Sequence, residues 1–425
     1  MARARAVSLP QAALLVAPAT VVANALGYAF TLVLSRLLGP SEYGELGSAL
    51  GLVLIGTVPA LAMQPVVARH VAVHLSDRDA GSTDSVVTAA LRRAAVVGLL
   101  TTALFVLASP LVTSYLRLDS PAPALWLALS LAPAPVLLAA QGALQGREQF
   151  ARMSCVFVLA ALGRLVGAAV CVHWSPGVTG ALAGSAAGAF VVAALAVGLL
   201  GLRAPGGSPG PAVPYGEIAA AASAMCGLLV LGNIDVLLAR HYLSPDDAGL
   251  YAVGTVFTKA ALWGPQAVSL LVFARLAQPD GDPRLLRRAV GLVTALGALL
   301  VLGTAVLGGP AVRLLFGEAY AGVARDAWLF TATGAALAVA QLLLFARLAV
   351  RDRVLPVAVL LVALAQVVVV VAFTHASVEQ VVRTSLAGAL TLVAAGYLLE
   401  RRSRPGAPPS DVPLGPADPL SVAAP

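Results

Sequence analysis

Apolar runs long enough to cross a bilayer recur along this chain almost from its start to about residue 400, and no other feature constrains its fold as tightly. A helix needs ~20 residues to traverse the hydrocarbon core. No water is available there, so every backbone N–H and C=O must be satisfied by protein, which leaves helices or a closed barrel. Barrel strands run ~10 residues and alternate apolar with polar side chains. The runs here are longer and apolar on all sides, so they are helices. Composition points the same way: 59% of residues are hydrophobic and 11% charged, against ~45–50% and ~25% in soluble domains. A soluble globular fold is excluded.

Spans fall at roughly 11–38, 46–73, 91–116, 121–146, 152–174, 177–202, 215–240, 247–274, 288–315, 325–350, 354–374 and 379–400. The chain therefore reads as an all-α integral membrane protein of about twelve transmembrane helices. An even number puts both termini on one side, and basic residues choose the side. Nineteen of the 27 Lys and Arg residues, from Arg3 and Arg5 through to Arg404, sit in one set of connections. Arg36, Arg117, Arg240, Arg313, Arg325 and Arg383 make up the opposite set, and only Arg164 and Lys259 lie near the middle of spans. The expectation is a bacterial plasma (inner) membrane protein, multi-pass, with both termini cytoplasmic. The net charge of +7 follows from this bias, and a nucleic-acid partner is rejected. Arg3 and Arg5 precede a run too long for a signal peptide, which reads as an uncleaved first span. Cys155, Cys171 and Cys226 are scattered within apolar segments and suggest neither a metal site nor a disulfide framework.

The chain repeats itself. Ser35-Arg36, Pro40, Glu42, Gly44, Pro59 and Ala68-Arg69 are matched by Ala239-Arg240, Pro245, Asp247, Gly249, Pro265 and Ala274-Arg275. The separation is 204 residues at Arg36/Arg240, 205 at Pro40/Pro245 and 206 at Arg69/Arg275, as two single-residue gaps would produce. Gln141 and Arg147 pair with Gln341 and Arg347, each 200 apart. Any two helical hairpins can share a Pro-Gly turn, but this joint match is too long for coincidence. The expected division is a six-helix bundle over 1–202, a Pro/Gly-rich connector over 203–214, a second six-helix bundle over 215–400 and a disordered tail over 401–425. Six helices per half makes the halves parallel, an arrangement known in transporters that hold substrate between two repeats.

The stretch Arg36-Leu37-Leu38-Gly39-Pro40-Ser41-Glu42-Tyr43-Gly44 resembles the first external turn of bacterial polysaccharide-biosynthesis membrane proteins. These are the O-antigen-type oligosaccharide flippases of the multidrug/oligosaccharidyl-lipid/polysaccharide exporter superfamily. Asn233 to Arg240, followed by Ala248-Gly249-Leu250-Tyr251, looks like the start of that family's second half, and Leu314 to Gly317 with Tyr320 is similar to its turn after the ninth helix. Ala274-Arg275 stands where the family often has a proline. The resemblance implies a V-shaped, MATE-like pair of six-helix bundles. It further implies transport of a polyprenyl-(pyro)phosphate-linked oligosaccharide from the inner to the outer leaflet, within membrane lipid, with Na+ or H+ as a coupling ion and no cofactor.

Charges within spans are the first functional candidates, since each costs ~2.5–3.5 kcal/mol at mid-bilayer on insertion scales. Arg164 in the fifth span and Lys259 in the eighth are far from either interface. Either they line a wet cavity and bind substrate phosphates, or they form a structural ion pair with Asp235 or Glu217. Arginine suits phosphate through its two-pronged fork, and lysine adds a point charge. Asp235 is a candidate for a coupling ion, or it ties Arg240 or Lys259 in place. Arg36 and Arg240 occupy equivalent places at the outer mouth, where they either touch the sugar or anchor helix ends. Asn24 and Asn233 suit interhelix hydrogen bonds. Prolines inside spans, among them Pro18, Pro59, Pro65 and Pro265, favour kinks. Glycines four apart, as at Gly142/Gly146, Gly163/Gly167 and Gly180/Gly184/Gly188, predict close helix packing. His70 and His74 share a helix face but lack a third ligand, and no catalytic motif stands out.

A lipid-linked oligosaccharide flippase needs a cationic cavity, consistent with Arg164 and Lys259. A cation-coupled multidrug exporter of the same superfamily should expose acids there, and mid-span acids are few. A membrane glycosyltransferase or polymerase needs a large external loop, which this chain does not have between its spans.

Overall fold

The computed structural model describes residues 9–76, 80–202, 213–264, 283–349 and 354–402. Arg3 and Arg5, most of the 203–214 connector, Pro265, Ala274-Arg275 and the tail beyond residue 402 lie outside them. The described residues are helical almost throughout, as hydrocarbon requires. The first half contains α1 (Leu9–Gly56), α2 (Val58–Ser76), α3 (Ala80–Leu107), α4 (Ser109–Tyr115), α5 (Ala122–Ser130), α6 (Ala134–Gly146), α7 (Phe150–Trp174) and α8 (Val178–Leu199). The second contains α9 (Tyr215–Leu231), α10 (Ile234–Tyr242), α11 (Pro245–Trp263), α12 (Pro283–Leu315), a 3-10 turn (Glu318–Arg325), α13 (Ala327–Ala349), α14 (Val354–Ala372) and α15 (Val378–Arg402).

Glycine and proline punctuate these helices. Gly39 adopts φ 73, ψ 175, a left-handed conformation that folds α1 into two arms, and Pro40 opens the second arm with no N–H left orphaned. The equivalent turn in the second half is built differently. Ser244 caps α11 by accepting from Asp247 N and donating to Asp247 Oδ2, with Pro245 in the first turn. At Gly232-Asn233 the chain bends by 41° between α9 and α10.

Among the described residues, eight helices are long and apolar enough to cross a membrane, or nine when α9 and α10 are taken together. The expected dozen is not reached on that measure: Leu15–Gly56 counts once although Gly39 bends it, Val357–Ala372 is shorter than a full span, and the expected 247–274 span runs into residues outside those described. Leucine and valine are widely exposed on the flanks, as at Leu99, Leu107, Leu302, Val306 and Leu364. On a water-facing protein such patches would drive aggregation. Here they form the surface that meets lipid.

Three apolar cores define the shape. One draws on both halves, combining Leu34, Tyr43, Leu46 and Leu116 with Leu237, Tyr251, Tyr320 and Phe330. The other two are nearly separate. Met63, Val67, Val86, Leu144 and Met153 belong to the first half, joined by Val213 before α9 and by Ile218, Ala221 and Ala222 on it. Leu286, Val293, Leu337, Leu342 and Ala389 belong to the second half alone. The halves thus share one core at one end of the molecule, and at the other each has a core of its own, bridged where α2 meets the start of α9.

Repeat-equivalent residues meet where the halves fuse. A Cβ on Gly44 would lie 2.8 Å from the Gly249 nitrogen, and a Cβ on Gly249 would strike the Pro40 carbonyl. Such a self-match is what an approximate two-fold axis through the α1–α11 contact produces. The glycine spacing along α7 and α8 acts as the sequence suggests: Gly163 and Gly167 lie against Gly188 and Gly184, backbone on backbone.

Candidate functional site

Arg164 and Lys259 project from opposite halves into the region between them. Arg164 lies in the middle of α7, with its guanidinium carbon 4.3 Å from the centre of the Phe30 ring on α1. The ring face is negative, so Phe30 both attracts and orients the cation. Although Arg164 sits mid-span, it is exposed, and it forms no hydrogen bond or ion pair among the described residues. Lys259, on α11, is half-buried and likewise forms no hydrogen bond or ion pair among the described residues. Lys259 is within electrostatic reach of both Arg164 and Asp235. The two cations are thus within electrostatic reach of one another, and neither has a carboxylate in hydrogen-bond or ion-pair contact among the described residues.

Asp235 does not close an ion pair. It is buried on α10, where Oδ2 accepts from the Tyr251 hydroxyl at 2.8 Å and Oδ1 accepts from Val236 N at 2.9 Å. Tyr251 OH lies 3.4 Å from Ser385 Oγ, which also accepts from Gln366 Nε2 at 2.9 Å. Side chains from α10, α11, α14 and α15 therefore form one buried polar chain with Asp235 at its inner end. A carboxylate served by donors of this kind can stay ionised in an apolar setting, or take up a proton or cation when the donors shift.

The structure separates the other candidates from this pair. Arg36 donates from Nε to Leu315 O at 3.1 Å and from Nη2 to Leu314 O at 2.5 Å. Arg240, buried, donates from Nε to Leu116 O at 2.8 Å and from Nη2 to both Arg117 O at 3.1 Å and Glu45 Oε1 at 2.9 Å. Both arginines spend their donors on protein at the fused end, where a ligand would have to displace those contacts. Glu217 is bound to Arg69 at the opposite end and is unavailable to Arg164 or Lys259. Asn24 is exposed, while Asn233 donates to Leu229 O at 2.9 Å, and its Oδ1 is buried without a partner among the described residues. His70 and His74 each contact the carbonyl four residues back. No group of three metal-ligating side chains occurs among the described residues.

Three residues of this region escaped sequence reasoning. Phe30 and Glu45 carried no signal: Leu250 stands at the repeat position of Glu45, and Phe30 looks like any span residue. Tyr251 stood in view within the Ala-Gly-Leu-Tyr motif, but nothing in that motif connects it to Asp235. A cavity of about 420 Å³ between α14 and α15 contains neither Arg164 nor Lys259. It touches the polar chain only at Gln366.

A family model described as polysaccharide biosynthesis protein matches residues 33–325, a stretch that includes Arg36, Arg164, Asp235, Arg240 and Lys259. The chain belongs to this family. No curated protein sequence matches it. Among solved structures, this polysaccharide biosynthesis protein is similar to an inward-facing multidrug resistance MATE family transporter of the MOP superfamily. The TM-score is 0.72 at 12% identity, covering 91% of this chain and 96% of the other. The lipid II flippase MurJ in an inward closed conformation gives 0.69 at 12% identity, covering 92% and 88%. An outward-facing MATE transporter gives 0.60 at 14% identity, covering 92% and 95%. The fold is therefore MATE-like, two parallel helical bundles in a membrane.

Proposed function

We propose that this polysaccharide biosynthesis protein is a transporter that flips a polyprenyl-(pyro)phosphate-linked oligosaccharide from the inner to the outer leaflet by alternating access, in cell-surface polysaccharide synthesis. The observation that carries the reading is the cation pair, Arg164 from one half and Lys259 from the other, with no carboxylate in contact among the described residues. A phosphate or diphosphate linker seated between them gains a fork from the first and a point charge from the second. A cation-binding drug exporter would want the opposite charge, and the acid nearest the pair, Asp235, is already held by Tyr251 and Val236.

The bacterial inner membrane, cytoplasmic termini and the division at 203–214 belong to the same proposal. They rest on the arginine distribution and the repeat. On that orientation the fused end faces outward and the opposite end, where Arg69 meets Glu217, faces the cytoplasm, where the lipid-linked sugar is made. Higher similarity to the inward-facing MATE structure than to the outward-facing one supports this assignment. Asp235 is the candidate for Na+ or H+ coupling, since rearranging Tyr251, Ser385 and Gln366 would change its charge state.

The test is reconstitution in proteoliposomes carrying a fluorescent polyprenyl-diphosphate oligosaccharide in both leaflets, with sugar exposure read by an added glycosidase. Wild type should expose the inner-leaflet pool. Arg164→Ala with Lys259→Ala should not, while remaining folded. Efflux of a cationic dye without sugar transfer would replace this reading with the exporter.

A further inference from the structure

We infer that Arg36 and Arg240 are the two arms of a reciprocal latch that holds the fused end shut, each arginine of one half capping a helix end of the other. The inference rests on the two halves parting at this end during transport, and it is independent of what is carried.

The arms are repeat-equivalent, and their targets stand at the ends of the third and ninth expected spans. Arg36 grips Leu314 and Leu315, the last residues of α12 in the second half. Arg240 grips Leu116, the C-cap of α4 in the first half, and Arg117 just beyond it. Each corner turns through a left-handed residue, Arg117 at φ 50, itself a target, and Gly317 at φ 97, two residues past Leu315. That turn ends the helix and leaves its last carbonyls without internal partners. A guanidinium fork from across the interface satisfies two of them at once and adds favourable charge at the negative end of the helix dipole. Each half thereby completes the helix termini of the other. Were the halves to part, the carbonyls would need water instead.

Neighbouring contacts follow the same cross-half pattern. Tyr320 OH donates to Ser35 O at 2.8 Å, beside the Arg36 arm. His241 stacks on Tyr115 with ring centres 4.3 Å apart and contacts the Tyr115 carbonyl through Nδ1 at 2.9 Å, beside the Arg240 arm. The arms are unequal. Arg240 is buried and ion-paired to Glu45, with Asp119 within electrostatic reach, whereas Arg36 is exposed and holds carbonyls alone. The Arg36 arm is the one to release first.

The experiment uses the full chain in lipid nanodiscs, with Cys155, Cys171 and Cys226 replaced by alanine and spin labels at Ser41→Cys and Asp246→Cys, one in each half. Distance distributions from pulsed dipolar spectroscopy report the open fraction. Arg36→Ala should raise the open fraction several-fold, and Arg240→Ala about tenfold or more, in line with the loss of charge-assisted hydrogen bonds. Arg36→Lys, which keeps charge without the fork, should fall between Arg36→Ala and wild type. Should Arg240→Ala fail to fold, Glu45→Gln loosens the same arm and should still raise the open fraction. Arg69→Ala, which breaks the Arg69–Glu217 pair at the other end, should leave this distance unchanged. An open fraction unmoved by Arg36→Ala and Glu45→Gln in folded protein overturns the latch, as does an equal response to Arg69→Ala. Sugar transfer is not the readout, so failure of the flippase reading would leave this result standing.

Discussion

The contact between Gly44 and Gly249 makes a quantitative prediction about how firmly the fused end is held. In Gly249→Val a Cβ must enter space occupied by the Pro40 carbonyl, and on the opposing face Gly44 and Gly47 already sit where a Cβ would come within 2.8 Å of Gly249 N and 2.6 Å of the Ala252 Cβ. Carbon atoms normally rest ~3.5–4.0 Å apart. The obstructing atoms are backbone, so no rotamer change relieves them, and α1 and α11 must move apart by on the order of an ångström. Overpacking of this kind costs ~1–3 kcal/mol. The cost falls on the joined arrangement alone, so the ratio of joined to parted molecules drops by about 5–150-fold. Ser48, fully buried one turn beyond Gly44, is the reporter. In a background lacking the native cysteines, Ser48→Cys should react with a membrane-impermeant maleimide at least about fivefold faster when Gly249→Val is present. A well-folded, monodisperse Gly249→Val protein that labels at the parent rate would show that this interface is soft and the reasoning mistaken.

Three further outcomes are expected. Tyr251→Phe leaves Asp235 with Val236 N as its one remaining donor, and should lower stability by ~1–3 kcal/mol in thermal unfolding; Asp235→Asn in the same chain should recover part of the loss. Phe30→Ala should weaken binding of a short-chain polyprenyl phosphate several-fold, because the cation–π contact that aims Arg164 is worth ~0.5–2 kcal/mol, while Phe30→Trp should retain it in the same titration. Glu217→Gln should change stability by no more than ~0–1 kcal/mol, since its pair with Arg69 is largely exposed; a larger loss in the melting curve would mean that the pair does more than its exposure implies.

Much of this protein was legible in its sequence for one reason: crossing hydrocarbon is a local property. A run of Leu, Val and Ala must be a helix wherever it lies, and the repeat from Ser35-Arg36 onward could be read by counting residues. Arg164 and Lys259 stood out for the same reason, as charges placed where the solvent is oil. What each charge does could not be read that way. Arg240 meets Glu45 across 195 positions of sequence, and Arg36 meets Leu315 across 279. Glu45 has no counterpart in the repeat, so only the folding together of α1, α4 and α10 brings it to Arg240. Asp235 could as well have tied Lys259 as accepted from Tyr251 until α11 was placed beside α10. The sequence by itself determined helices, spans and the doubling of the fold, because burial in lipid acts on each segment alone. The tertiary structure decided which polar groups are spent holding the halves together and which stay free between them, because hydrogen bonds are short and depend on what packing brings within reach.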